Sequence, residues 1–200
     1  MSLSTPTPTI LTDPGFIFTA ILASTLPTMA AAVSSYDADT WPVAWINAGA
    51  TEDGSKFSYQ SNIEAITVAE FFDPIRWTTT SREGSFSFNL ASYTLQNLRR
   101  ALNAGTGAVT TVSGTGATLS SMLTPPAPGQ ELRTMVGWES LDHTMRFVAY
   151  QVINGATIES AFAKAPAKAV IPFDLRFEVP ASGVPFNFWA AGDTTGRLGV

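Results

Sequence analysis

Within residues 83–105 the hydrophobic period changes once, from two to about 3.6, and that change demands a strand running directly into a short helix. Ser85-Phe86-Ser87-Phe88-Asn89-Leu90 alternates strictly, so a pleated strand puts Phe86, Phe88 and Leu90 on one face and Ser85, Ser87 and Asn89 on the other. Leu95, Leu98 and Leu102 then recur at helical spacing, which predicts a helix near 94–103. Ser92 or Thr94 is placed to cap its first amides, and Gly105 to close its end. A strand and a helix this close share one apolar core.

Strand signals crowd the rest of the chain. Ala44-Trp45-Ile46 is a short apolar strand, Thr51-Glu52-Asp53-Gly54 a turn signal, and Lys56 to Gln60 alternates beyond it. Ala65 to Phe72 predicts a strand broken by Asp73-Pro74, and Ile75 to Thr80 resumes it. Ser81-Arg82-Glu83-Gly84 is expected to turn the chain into the Phe86 strand. Beyond the helix, residues 105–121 are Gly, Ser and Thr around Ala108 to Val112, and Pro125 to Gly129 is a stiff loop. Leu132 to Trp138 and Thr144 to Val152 alternate, and Asn154-Gly155 predicts a hairpin into Thr157 to Phe162. Phe173, Leu175, Phe177 and Val179 share a face opposite Asp174, Arg176 and Glu178. Closely spaced strands with turn chemistry between them predict a mainly-β fold, a β-sandwich or partly open barrel with one flanking α-helix and extended terminal arms. The expected organisation is an N-terminal arm and docking segment over 1–40, a β domain over 41–180 and a C-terminal arm over 181–200. Met1 to Asp13, rich in Pro and Thr, is too polar to pack, whereas Phe16 to Leu22 is apolar enough to dock, either on this domain or on the next subunit.

Composition narrows the function. Charged residues make up 14% of the 200, well below the usual quarter, which suits a surface covered by neighbours. A net charge of -5 without a basic stripe argues against a general grip on nucleic acid. The lack of cysteine excludes disulfides, thiolate zinc sites and a thiol nucleophile. His143 is the only histidine, which excludes multi-histidine metal sites and two-histidine mechanisms; beside Asp142 it reads as a solvated turn residue. No serine sits in a G-x-S-x-G elbow, and Gly114-Thr115-Gly116 is followed by no phosphate-binding lysine. Glu52 with Asp53, or Glu64 with Glu70, could approach as carboxylate pairs, but Trp45, Trp77 and Trp138 lie in strands, where core packing is their commoner use. No catalytic, cofactor-binding or metal-binding residue is therefore assigned, and the chain reads as non-enzymatic. The uncharged run from Pro14 to Tyr36 is broken by Pro14, Gly15 and Pro27, and its apolar part is too short to span a bilayer. Lys56 is the first basic residue, so a positively charged leader is missing and synthesis in a cytoplasm is expected.

Several segments, taken in order, resemble the siphophage major tail protein family. Residues 44–59, with Thr51-Glu52-Asp53-Gly54, resemble its early strand and T-x-D-G-like turn. Val68 to Pro74 resembles a strand ending in an acidic residue and Asp-Pro, and Glu83 to Leu90 followed by Leu95 to Asn103 is similar to its strand and N-L-x-x-A-L helix. Pro185-Phe186-Asn187-Phe188-Trp189-Ala190-Ala191-Gly192 is similar to its closing P-F-x-x-W-x-A-G segment. The resemblance spans Asp13 to Gly192 and rests on order and combination; residues before Asp13 and between Gly105 and Ser121 match no part of the pattern. It implies a structural virion protein forming stacked homohexameric rings, the tail tube through which DNA leaves without specific binding. It also implies tape-measure and tail-end partners, assembly in the host cytoplasm and no membrane insertion.

A ring closes through one heterologous contact and stacks through another, which suits low charge and apolar ends. The expected subunit contacts are Phe16, Ile17 and Phe18 near one end, Asp53, Lys56 and Phe57 in the Thr51 to Gln60 segment, and Phe186, Phe188 and Trp189 near the other end. Acidic residues lining a channel would repel DNA within roughly a Debye length of ~8 Å, and Glu64, Glu70, Asp174 and Glu178 are the candidates. The alternatives from other classes are a secreted β-sandwich binding or adhesion module and an enzyme with converging acids; tail-terminator and head-completion rings are the nearest relatives in kind.

Overall fold

In the computed structural model, which describes residues 15–27, 41–69, 72–112, 120–159 and 169–190, the alternating segments become strands of one strongly folded sheet. In chain order they are β1 (Phe16–Ile21), β2 (Ile46–Gly49), β3 (Thr51–Ile66), β4 (Arg76–Leu90), helix α1 (Leu95–Ala101), β5 (Val109–Val112), β6 (Ser120–Leu123), β7 (Thr134–Glu139), β8 (Met145–Asn154), β9 (Ile171–Phe177) and β10 (Phe186–Ala190). The main sheet runs β2-β1-β7-β8-β9-β4-β3 with β10 on β8, and β5 and β6 form a separate antiparallel pair. Met145 to Ala149 pairs with β10, while Val152 to Asn154 pairs with β9, so β8 is where the sheet turns back over itself. One wall is β2-β1-β7-β8-β10 and the other β9-β4-β3.

The main core lies between these walls. Ile17, Val136, Phe147 and Ala149 face Phe86, Phe88, Leu90, Ile171, Phe173 and Leu175, and Ala101 of α1 closes one side. Phe86, Phe88 and Leu90 thus point where their alternation requires. The sheet stays unclosed: β3 and β10 share no ladder, and the Phe57 ring fills the seam, with centroids 5.1 Å from Phe186 and 5.0 Å from Phe188. The structure is the expected mainly-β, open sandwich with one flanking helix. A smaller cluster on the outer face of the first wall joins Ala20, Trp45, Met135 and Val148 with Phe18, Trp41 and Trp189. Phe147, Val148 and Ala149 are consequently covered on both faces.

Several boundaries differ from expectation. Phe16 to Ile21 belongs to the sheet, between β2 and β7, and Ile17 is fully buried, so of its two expected partners this stretch packs on its own domain. Phe186 to Ala190 likewise pairs with β8 along its whole length. Met1 to Asp13, residues 191–200 and most of the 105–121 glycine-rich stretch beyond Val112 lie outside the described residues. The Thr51 to Gly54 signal makes a bulge inside β3: the ladder slips between Thr51 and Ser55, and Gly54 takes φ +79°, which a side chain would resist. Ser81 to Gly84 runs straight through β4. Gly84 serves packing there, because a Cβ would overlap the Phe177 ring. β3 ends instead at Ile66 and β4 begins at Arg76, past Asp73-Pro74, with the Ile75 amide donating to the Ile66 carbonyl at 3.0 Å. Asn154-Gly155 ends β8, but Thr157 to Glu159 forms no strand, and Ser160 to Phe162 lies outside the described residues.

Thr94 is the helix cap, its Oγ1 accepting from the Asn97 amide at 3.1 Å. The far end closes two residues before Gly105. Asn103 takes φ +54°, its amide donates to Arg100 O and that of Ala104 to Arg99 O, the paired bonds of a Schellman ending. Asn97 is buried and ties the helix to the sheet: its Nδ2 donates to Ala48 O at 2.9 Å and Ser92 O at 2.8 Å, while its Oδ1 accepts from Arg100. Asn97→Ala strips two carbonyls of their donor in a low-dielectric site and is expected to lower stability by about 2–3 kcal/mol. Urea unfolding should show this loss, with hydrogen exchange at β2 accelerating ahead of exchange at β8.

Candidate assembly surfaces

The β3–β4 ladder does not stop where the sandwich does. Ser85 is the last β4 residue paired to β9, opposite Arg176, yet β4 continues back to Arg76 against β3. At ~3.3 Å per residue this leaves a bare ribbon about 30 Å long. Its exposure is two-sided: Ile63 is 58% and Trp77 60% exposed on one face, Ile66 is 43% exposed on the other, and at the tip Ile75 is 55% exposed and Phe72 fully so. Asn62 Nδ2 donates to Ser81 Oγ across the strands at 2.8 Å. A two-stranded ribbon with no third layer is marginal in water, so its length calls for something to lie against. Gln60-Ser61-Asn62 and Thr78-Thr79-Thr80 are polar on both faces, and that loss of alternation is the sequence signal for a ribbon without a core.

Most of the expected contact residues are engaged within the chain. Ile17 is core, Phe18 stacks on Trp41 at 4.3 Å, and Phe57 and Phe186 pack in the seam. Trp189 joins the outer cluster. Phe16 and Phe188 are 37% and 38% exposed, each with one side of its ring covered, by His143 and Phe147 respectively. Asp53 and Lys56 are exposed beside the bulge. Of the acidic candidates, Glu64 is exposed on the ribbon, and Glu70 lies outside the described residues. Asp174 pairs with Arg176 at 2.7 Å, and Glu178 with Arg133 at 3.1 Å, so neither presents an uncompensated charge. Hydrogen bonds from Arg133 and Gln151 hold the Glu178 carboxyl below its usual range.

One ionic cluster escaped the sequence reading. Glu139 and Arg146 are register partners across the β7–β8 turn, both buried, with Arg146 Nε donating to Glu139 Oε2 at 2.6 Å. Trp41 Nε1 donates to the same oxygen at 2.5 Å, and the guanidinium lies 5.4 Å from the Trp41 ring centre. His143, φ +56°, pairs through Nδ1 with Glu139 Oε1 and stacks on Phe16, so it is a partner of a buried acid and not the solvated turn residue expected. Ser140 and Asp142 are close by, but the Ser140 hydroxyl is 2% exposed, donates to Asp142 Oδ1 at 2.5 Å and accepts from the Thr144 and Met145 amides. That bonding closes the turn between β7 and β8. Opposite charges at both ends of a tight hairpin, Glu139 and Arg146, were the available signal.

Among the described residues no group of three or more His, Asp or Glu is arranged to hold a metal ion, and no helix is long and apolar enough to cross a membrane. Compared with known proteins, the chain matches no family model and no curated sequence.

Glu139→Ala leaves the Arg146 guanidinium in a dry site without its carboxylate, and a loss of about 3–5 kcal/mol is expected, read by thermal or urea unfolding. For Glu178 the folded pKa is depressed, so its contribution is present above the unfolded glutamate value and lost as pH falls through the folded one. Glu178→Gln should therefore flatten the acid limb of the stability curve and change little at a pH where both states are protonated; a urea series across pH would measure it.

Proposed function

We propose that this chain is a structural subunit that assembles with copies of itself into stacked rings, the tail tube of a siphophage-type virion. The projecting β3–β4 ribbon carries this reading. It presents apolar side chains on both faces, too far from its own core to be covered by it. A second support is the pair of strands at the sheet margins: β2 and β3 each bond to one neighbour only, and repeating subunits can cover such edges. The ordered similarity to tail proteins adds the geometry, rings that close and stack by contacts between unlike surfaces. Low overall charge and the absence of a basic stripe fit a conduit that DNA crosses without being held. In this reading Asp53 and Lys56 beside the bulge and Glu64 on the ribbon belong to subunit contacts or to the channel wall.

Negative-stain electron microscopy and sedimentation of the full-length protein over a concentration series test the proposal. Rings or tubes of uniform diameter are expected. Replacing residues 61–82 by Asn-Gly, which joins the paired Gln60 and Glu83 by a two-residue turn, should leave a folded monomer with native circular dichroism. A monomer at every concentration for the intact chain would reject it.

A further inference from the structure

At the end of the sandwich remote from the ribbon tip, β1, β2 and α1 border an open groove of about 380 Å³. That lies within the ~300–1,000 Å³ of typical ligand-holding pockets. Its apolar surface is bare, with Ile21 63%, Leu22 41%, Ile46 53% and Leu132 46% exposed. Along one rim stand Arg99 and Arg100. Their hydrogen bonds go to neutral acceptors only: Arg99 to Gln96 Oε1 and Ala104 O, Arg100 to Asn97 Oδ1. Neither has a carboxylate partner among the described residues, and both are partly buried. Burial lowers the pKa of each, and Arg99 adds to the effect on Arg100. Two adjacent, partly desolvated cations over an apolar floor call for an occupant that brings both an anion and a hydrophobic group.

The ribbon tip has that chemistry. Phe72 is fully exposed, Asp73 beside it is exposed with no basic partner among the described residues, and Ile75 adds a second apolar side chain. The two features cannot meet within one chain. β4 runs from the tip at Arg76 to Leu90, whose end leads into α1, and the groove is built where β1 ends, β7 begins and Leu132 bonds to Asn103 at the close of α1. Tip and groove therefore occupy opposite poles, the arrangement that propagates a head-to-tail contact.

We propose that the ribbon tip of one copy docks into this groove of the next, with Phe72 on the apolar floor and the Asp73 carboxylate against Arg99 and Arg100. The inference rests on the self-assembly reading and gives it a specific lock. An aromatic anchor in a desolvated pocket beside a charge pair is the usual make-up of an interface hot spot.

The chain has no cysteine, so single cysteines report without background. Phe72→Cys and Leu22→Cys proteins are co-assembled with the unsubstituted chain, whose intact contacts carry assembly although each variant loses one, then oxidised and digested, with assembly followed separately by electron microscopy. A 72–22 disulfide between chains is expected in the assembled fraction and not in the free subunits. Asp73→Arg alone, and Arg99→Asp with Arg100→Asp alone, should each raise the concentration needed for assembly by about tenfold or more, and mixing them should restore it, since each then meets a complementary partner. If the arginine variant fails to fold, the tip substitutions, which lie on a bare turn, still decide the matter. Tubes that form without the 72–22 disulfide, and unchanged by Asp73→Arg, overturn the docking and leave self-assembly standing. An intact protein that never assembles overturns both. If Leu22→Cys is shielded from a thiol reagent until residues 1–14 are deleted, whatever the tip carries, the groove belongs to the chain's own N-terminal segment and the proposal falls.

Discussion

The aromatic contact between the two walls is the interaction on which the rest depends. Phe147 on β8 meets Phe86 on β4 at 5.4 Å, Phe177 on β9 at 5.9 Å and Phe57 on β3 at 5.4 Å, and beside it in its own wall lies its ladder partner Phe188 on β10 at 4.6 Å. Each such pair contributes about 0.5–1.5 kcal/mol beyond the apolar area it buries. A sheet left open along the β3–β10 seam has no ladder to hold its walls together there. Rings hold them instead, with Phe147 of β8 at the centre of the set.

The same strand explains the buried ion pair. Because β8 is covered on both faces, the side opposite Phe147 cannot point its alternate residues into water, and Arg146 ends up fully buried. Its charge is tolerable there because Glu139 lies opposite it in register, with Trp41 and His143 completing the carboxylate's bonds. Such a pair adds little net stability compared with apolar residues of the same size, yet it penalises any other pairing of β7 with β8. A one-residue slip would part the two charges and leave both unpaired in a dry site. The cluster thereby fixes the register of the strand around which the sheet folds.

Against this well-tied body the β3–β4 ribbon stands out as the part of the fold left unfinished. Its ladder is intact and its chemistry is consistent with exposure, but among the described residues it has neither a third strand nor a facing layer. The groove beside α1 is its counterpart, an apolar floor with two cations that no carboxylate among the described residues neutralises. Both conditions are ordinary for a subunit and costly for a solitary chain, since exposed apolar area of this kind marks surfaces that partners cover.

Periodicity alone determined the strand from Phe86 to Leu90, its apolar face, the helix after it and the mainly-β class, because these follow from nearest-neighbour backbone geometry; between Ser92 and Thr94 as its cap only the structure chose. The lack of cysteine and the single histidine likewise closed off whole classes of chemistry. Turn-forming residues were a weaker guide. Gly54 and Gly84 read as reversals, but one relieves a bulge and the other makes room for Phe177, distinctions that depend on what lies across the sheet. Whether Phe16 to Ile21 was an arm or a strand was equally illegible, since an apolar stretch looks the same whether it covers its own domain or a neighbour. Only the tertiary structure decided that, along with the pairing of Glu139 with Arg146 and the separation of ribbon tip from arginine groove, because each depends on residues brought together from distant parts of the chain.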